Sequence, residues 1–226
     1  MCGRYLVDDE VYADMWMIMN GSDAGLSPTP HRVFAPNGEM NPPGVQSAAA
    51  GREIFPANTA PIVTSTGYNA IKWGFPHWKG KGVIINARAE TAFEKKMFSK
   101  ALSKQRCVVP SCGYYEWGRS GAWDPGAALP GRADRQTKSK YLFRHPGGAL
   151  LFMAGIADIF RDSSGEEYSA FVILTTAANE STLPIHDRMP VVLAPEERDL
   201  WIHDDGFTKH ALGRTGPGLV FSPARR

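Results

Sequence analysis

Strand-like and helix-like runs in this chain do not alternate, and that argues against a parallel α/β sheet. Short stretches with β character fall at 62–65, 70–73, 83–86, 106–109, 112–117, 140–143, 150–158 and 168–176. Helical periodicity is confined to a few places. Asp8 or Asp9 is placed to cap a first helix carrying Val11, Tyr12, Met15, Ile18 and Met19. Thr91-Ala92-Phe93-Glu94 has the form of a capping box. It predicts a helix with Phe93, Met97, Ala101 and Leu102 toward the core and Lys95, Lys96, Lys100 and Lys104 mainly toward solvent. Pro195 fits the first turn of a last helix, with Leu200 and Trp201 facing inward. The expectation is an α+β fold over 1–226. It is a single domain with a mostly antiparallel, barrel-like β-sheet core and a few flanking helices. Segments 21–51 and 118–139, rich in Gly and Pro, are expected as surface loops.

Composition narrows the function classes. Apolar residues make up 43% of 226 positions and charged ones 21%, enough for a packed core. A formal charge of only +2 means that any polyanion-binding surface must come from local clustering. Three cysteines, an odd number, with no secretory leader expected, point to reduced thiols in a cytoplasmic setting. Cys107 and Cys112 are too far apart for a C-x-x-C pair, and no His/Cys set completes a zinc site, so both are read as structural. No metal or cofactor is expected. No apolar run reaches the length of a membrane span, and no membrane partner is expected.

Four clusters carry candidate chemistry. Cys2 follows a removable Met1, and as a free terminus it would join an α-amine to a thiol on adjacent carbons. These titrate near ~8 and ~8.5, so each is expected to be partly reactive at neutral pH. An aldehyde condenses with such a pair first as an imine and then as a five-membered thiazolidine. The alternative is that Cys2 is a small buried hydrophobe. Arg4 beside it suits a phosphate or carboxylate, or a surface ion pair.

Asn86 and Arg88 lie two apart and would share one face of a strand, suited to phosphate or sugar oxygens. The competing assignment for Arg88 is a salt bridge to Glu90 or another carboxylate. Tyr114 and Glu116 would share one strand face, with Tyr115 and Trp117 on the other. A carboxylate half-buried among aromatics has its pKa raised toward the range useful for proton transfer. His186, in a loop bounded by Pro184 and Pro190, can shuttle protons near neutral pH. The other histidines receive no role.

With these clusters assembled, the chain resembles the SRAP family, the SOS response-associated peptidases. The matching pieces are M-C-G-R-Y at 1–5, K-W-G-F-P-H-W at 72–78 and I-N-A-R-A-E-T at 85–91. R-C-V-V-P-S-C-G-Y-Y-E-W at 106–117 and I-H-D-R-M-P-V at 185–191 complete them. The resemblance implies a cytoplasmic, nucleoid-associated sensor of abasic sites in single-stranded DNA, expected to be a monomer. It would form a thiazolidine DNA–protein crosslink through Cys2 after Met1 removal, with AP-lyase and autoproteolytic activity. Carried over, Cys2 supplies amine and thiol. Asn86 holds the amino terminus or the sugar-phosphate, Glu116 handles protons around imine formation, and His186 assists ring opening and reversal. Arg4 and Arg88 would bind phosphates, and Trp73 would stack on flanking bases.

A family motif R-Y-N-x-A-P has become Pro56-Ala57-Asn58-Thr59-Ala60-Pro61, which keeps Asn58 as a site-lining candidate and lacks the Arg. The alternative function is an N-terminal-nucleophile cysteine peptidase or amidohydrolase, with the Cys2 amine or His186 as base. A third is a non-enzymatic single-strand binder using Arg4, Arg88 and Trp73.

Overall fold

The computed structural model describes residues 2–7, 52–78, 80–119 and 138–225. The expected first helix and the 21–51 loop lie outside the described residues. The strands are β1 (Arg4–Val7), β2 (Arg52–Ile54), β3 (Thr59–Thr64), β4 (Gly67–Trp73), β5 (Phe75–Pro76), β6 (Val83–Ile84), β7 (Asn86–Arg88) and β8 (Arg106–Ser111). They continue with β9 (Gly113–Arg119), β10 (Lys138–Arg144), β11 (Leu151–Arg161), β12 (Glu167–Ala177), β13 (Arg188–Pro190), β14 (Val192–Leu193) and β15 (Val220–Pro223). Between them lie helices α1 (Ala89–Ala92), α2 (Lys96–Lys104), α3 (Arg198–His203) and α4 (Asp205–Gly213).

Two sheets dominate. One runs β15-β10-β9-β1-β2, all antiparallel. In the other, β12, β4, β3, β8 and β11 pair in turn, and β11 pairs back onto β12, closing a five-strand ring. Among the described residues only β12–β4 and β12–β7 are parallel, so the barrel-like, mostly antiparallel α+β expectation describes the molecule.

Period-two alternation explains how the ring joins two cores. Cys107, Val109, Met153 and Ile173 pack with Tyr5, Tyr114 and Phe143 of the open sheet. Their neighbours Val108, Ala154, Val172 and Leu174 pack with Phe98 and Leu102 of α2 and Trp201 of α3. β8 is buried at every position because each of its faces meets one of these cores. At the exit of β4, Gly74 adopts φ +118°, and a Cβ there would lie 2.7 Å from the Cβ of Val83. Glycine alone lets the chain turn there, with its N–H donating to the Phe171 carbonyl at 2.7 Å.

Three local expectations need correction. The capping box at 91–94 does not form: Thr91 lies inside α1, and Glu94 and Lys95 donate back to its carbonyl. α2 restarts at Lys96 with an extended, uncapped Lys95, so Phe98 is buried and Phe93 is exposed. Burial of Ala89 and Ala92 accompanies the earlier helix start and the break. Leu200 is exposed, whereas Trp201 is buried as expected. The segment at 118–139 is narrower than a loop at both ends, because Gly118 and Arg119 pair with Ser139 and Lys138 in the β9–β10 ladder.

Candidate functional site

Four chain segments converge where the open sheet meets the ring. Cys2 precedes β1 and has no exposed surface. Its thiol donates to the Arg4 carbonyl at 3.6 Å, and its own carbonyl accepts from the Asn86 side-chain amide at 2.9 Å. That second bond ties the start of the open sheet to β7, which lies parallel to β12 of the ring. Burial, followed by the negative charge of Glu116, pushes the Cys2 thiol well above its ordinary pKa. The expectation of a partly ionised thiol at neutral pH is therefore corrected: here it holds its proton.

Tyr114 and Glu116 share the inward face of β9, as the alternation predicts. Glu116 is 2% exposed, deeper than the half-burial expected, and burial raises its carboxyl to about 7. The positive charge of the amino terminus opposes that rise. His186 sits across from it, Nε2 lying 3.9 Å from a Glu116 oxygen, an ion-pair separation longer than a hydrogen bond.

The imidazole is oriented by its loop. Its Nδ1 accepts the Arg188 backbone N–H at 3.0 Å, so the neutral ring carries its proton on Nε2, facing Glu116. Asp187 lies 3.0 Å from the same Nδ1 and favours the charged ring, but burial lowers the His186 pKa overall. The loop is fixed by Asn179, whose side-chain oxygen accepts from Ser181 and Thr182, and by the Thr182 carbonyl, which accepts the His186 N–H.

Cys2, Asn86, Glu116 and His186 thus form one cluster: a terminal residue held by its backbone, a carboxyl titrating near neutrality and a neutral imidazole. Such a set can move protons about an atom held between them. The phosphate-binding candidates are arranged differently. Arg88 is exposed, on the strand face of Asn86, and the carboxylate once considered its partner is taken by another residue. Glu90 binds Arg188 in a bidentate pair at 2.6 and 2.8 Å, and Arg188 also donates to the Thr175 carbonyl at 2.6 Å.

Arg4 projects from the outer face of the open sheet, opposite to Glu116, and donates to Glu53 at 3.3 Å. Trp73 has no exposed surface. Its indole N–H donates to the Ile85 carbonyl at 3.0 Å, and its ring packs edge-on against Tyr5, so it cannot stack on a base. That assignment is corrected. Asn58 lines no part of the cluster: its side chain accepts the Phe55 N–H at 3.0 Å and closes a turn.

Cys107 is fully buried and held far from ionisation by that burial, while Cys112 is half-buried. Sequence reasoning passed over Tyr114 itself, whose buried hydroxyl faces Thr182 and lies within electrostatic reach of Cys2 and Glu116. Its place beside Glu116 in the alternation was the available signal. Among the described residues no group of His, Cys, Asp and Glu could hold a metal ion, and no helix is long and apolar enough to cross a membrane.

A barrel-like α+β protein whose polar cluster is assembled around an amino-terminal cysteine is the class that this fold and site define. The family model described as SOS response associated peptidase (SRAP) matches residues 1–215, and the chain belongs to that family. Among its relatives, the abasic site processing protein YoqW of Bacillus subtilis is 31% identical over 179 residues, covering 75% of this chain and 70% of that protein. The abasic site processing protein YedK of Escherichia coli is 31% identical over 149 residues, covering 66% and 60% respectively. A crystal structure of a Bacteroides thetaiotaomicron protein aligns with TM-score 0.60 at 29% identity, covering 76% of this chain and 77% of that one. One from Bordetella bronchiseptica aligns with TM-score 0.68 at 21% identity over the whole of both chains, a likeness of fold alone.

Proposed function

We propose that this protein processes abasic sites in DNA by covalent capture, with the Cys2 amine and thiol as joint nucleophiles once Met1 is removed. The observation that carries the reading is the grip of Asn86 on the Cys2 backbone beside Glu116 and His186. The relatives YoqW and YedK are abasic site processing proteins, and they supply the substrate class.

The ring-opened abasic sugar presents an aldehyde. The neutral amine attacks its carbon, Glu116 in its acid form gives a proton to the departing oxygen, and water leaves as the imine forms. The Cys2 sulfur then adds to the imine carbon, its proton passes to the nitrogen through the Glu116 carboxylate, and a thiazolidine closes. His186 moves protons at the sugar oxygen during ring opening and in the reverse reaction. A thiol that keeps its proton suits this order, in which the amine attacks first. If a base instead takes a proton from the carbon next to the imine, the 3′ phosphate departs, which is the lyase branch.

Arg88 and Arg4 contact the phosphates of a single strand. An amino-terminal extension turns the Cys2 amine into a peptide nitrogen, which cannot form the imine, so it abolishes capture. The peptidase alternative draws no support from Asn86. Its amide polarises the Cys2 carbonyl, whereas removal of Met1 requires attack at the preceding carbonyl.

The test mixes protein with a single-stranded oligonucleotide bearing one abasic site and follows a heat-stable shifted band. Wild type gives the band and Cys2→Ala does not. A band of equal yield from Cys2→Ala overturns the reading.

A further inference from the structure

The outer face of the open sheet carries a stack of side chains of which the chemistry above uses only Arg4. The β1–β2 register pairs Tyr5 with Ile54 and Leu6 with Glu53, so Phe55 stands opposite Arg4. The guanidinium carbon of Arg4 lies 4.4 Å from the centre of the Phe55 ring and 5.1 Å from that of Trp117. Phe55 and Trp117 thus both engage the cation through their rings, a cation–π arrangement.

The plane of the guanidinium is fixed from the side. Arg4 donates to one oxygen of Glu53, and the other accepts from Lys140, which is buried and sits 4.0 Å over the Tyr115 ring. A buried ammonium needs its partner, so Glu53 is not free to swing away.

Phe55 is held just as firmly. Its N–H donates to the Asn58 side chain at 3.0 Å, and its carbonyl accepts the Asn58 N–H at 3.0 Å. Between them Ala57 adopts φ +68°, a left-handed conformation unfavourable for alanine, and its N–H donates to the Trp73 carbonyl at 2.8 Å. A strained turn of this kind persists only where its surroundings over-determine it. Yet the residue it presents, Phe55, is 41% exposed. A rigid phenyl ring backed by a guanidinium, with part of its surface open, is a landing site for a flat unsaturated ring.

We infer that Phe55 is a stacking site for an unpaired nucleobase one or two nucleotides from the captured sugar. The inference rests on the proposed capture of abasic DNA. Arg4 is two residues from Cys2, at most about 7 Å of extended chain, comparable with about two stacked nucleotide steps of ~3.4 Å. Its charge draws the adjoining phosphate while the Phe55 ring takes the base. The turn that presents Phe55 includes Pro56 and Ala57, which stand where the family motif R-Y-N-x-A-P has Arg and Tyr.

The experiment compares wild type with Phe55→Leu, Phe55→Ala and Phe55→Tyr. Leucine keeps apolar packing without a π face; tyrosine keeps the face. Affinity for intact single-stranded DNA is read by fluorescence anisotropy, and capture rate on an abasic strand. Capture is repeated on a strand whose nucleotides flanking the abasic site are baseless spacers. The expected result is a loss of about tenfold in affinity and capture rate for Leu and Ala, near-wild-type values for Tyr, and no difference among variants on the spacer strand.

Equal values for Leu and wild type on the normal strand overturn the inference, as does an equal loss on the spacer strand. If wild type gives no Cys2-dependent product, the capture reading fails, and the anisotropy values alone decide the stacking site.

Discussion

Glu116 carries a carboxyl that burial holds near pH 7, in a position where the native fold prefers it neutral. Two consequences follow at this scale. The first concerns rate. A group titrating near neutrality is protonated below about 7 and ionised above it, so capture is predicted to bend near pH 7. Glu116→Gln removes that bend and slows capture tenfold or more; a profile of rate against pH checks both. The second concerns stability. The folded pKa lies above the ordinary 4.5, so the native state binds the proton more tightly and stability falls as pH rises from about 4.5 through about 7. The gap corresponds to roughly 3 kcal/mol once the carboxyl is ionised. Glu116→Gln is therefore predicted to raise Tm at pH 8 and to change it little at pH 4, read by thermal unfolding at both. A lower Tm at pH 8 contradicts the assignment.

At the scale of elements, α2, α3 and α4 are tied to the ring by one buried cation. Arg106, at the start of β8, donates to the carbonyls of Leu102 and Ser103 at the end of α2 and of Trp201 and Ile202 in α3, and pairs with Asp205 at 2.7 Å. Its guanidinium satisfies carbonyls that helix ends leave without partners. Arg106→Met is predicted to cost about 3 kcal/mol in urea unfolding, while protein that remains folded captures abasic DNA at the wild-type rate.

The strands were legible because their alternation is strong: Tyr114 and Glu116 fall inward, Tyr115 and Trp117 outward, as the pattern of residues requires. The break between α1 and α2 was not legible. It goes with the packing of Ala89 and Ala92 rather than with any local signal, and the Thr and Glu of the apparent capping box serve neither end. Nor does sequence say which tryptophan is buried. Trp73 and Trp78 sit five residues apart in one motif, yet one is fully enclosed and the other is 73% exposed.

Across the whole molecule, the candidate cluster exists only because two sheets dock. Cys2 and Glu116 come from the open sheet, Asn86 from a strand on the ring, and His186 from the loop that leads into β13. Trp73 lies in the core they share, between Tyr5 of one and Phe171 of the other. Trp73→Ala is predicted to destabilise the protein by about 3–5 kcal/mol, without changing the salt dependence of DNA binding by the protein that stays folded. A changed salt slope would instead place Trp73 in contact with the nucleic acid.

The proposed chemistry joins protein and aldehyde with loss of one water, and only at a chain that begins with Cys2. Intact mass after mixing with an abasic single-stranded oligonucleotide reads all of this at once. The predicted species is the protein without Met1 plus the oligonucleotide less one water, stable without added reductant and absent for Cys2→Ala. The same mass gain, stable without added reductant, on Cys2→Ala or on protein that retains Met1 contradicts capture through this terminus.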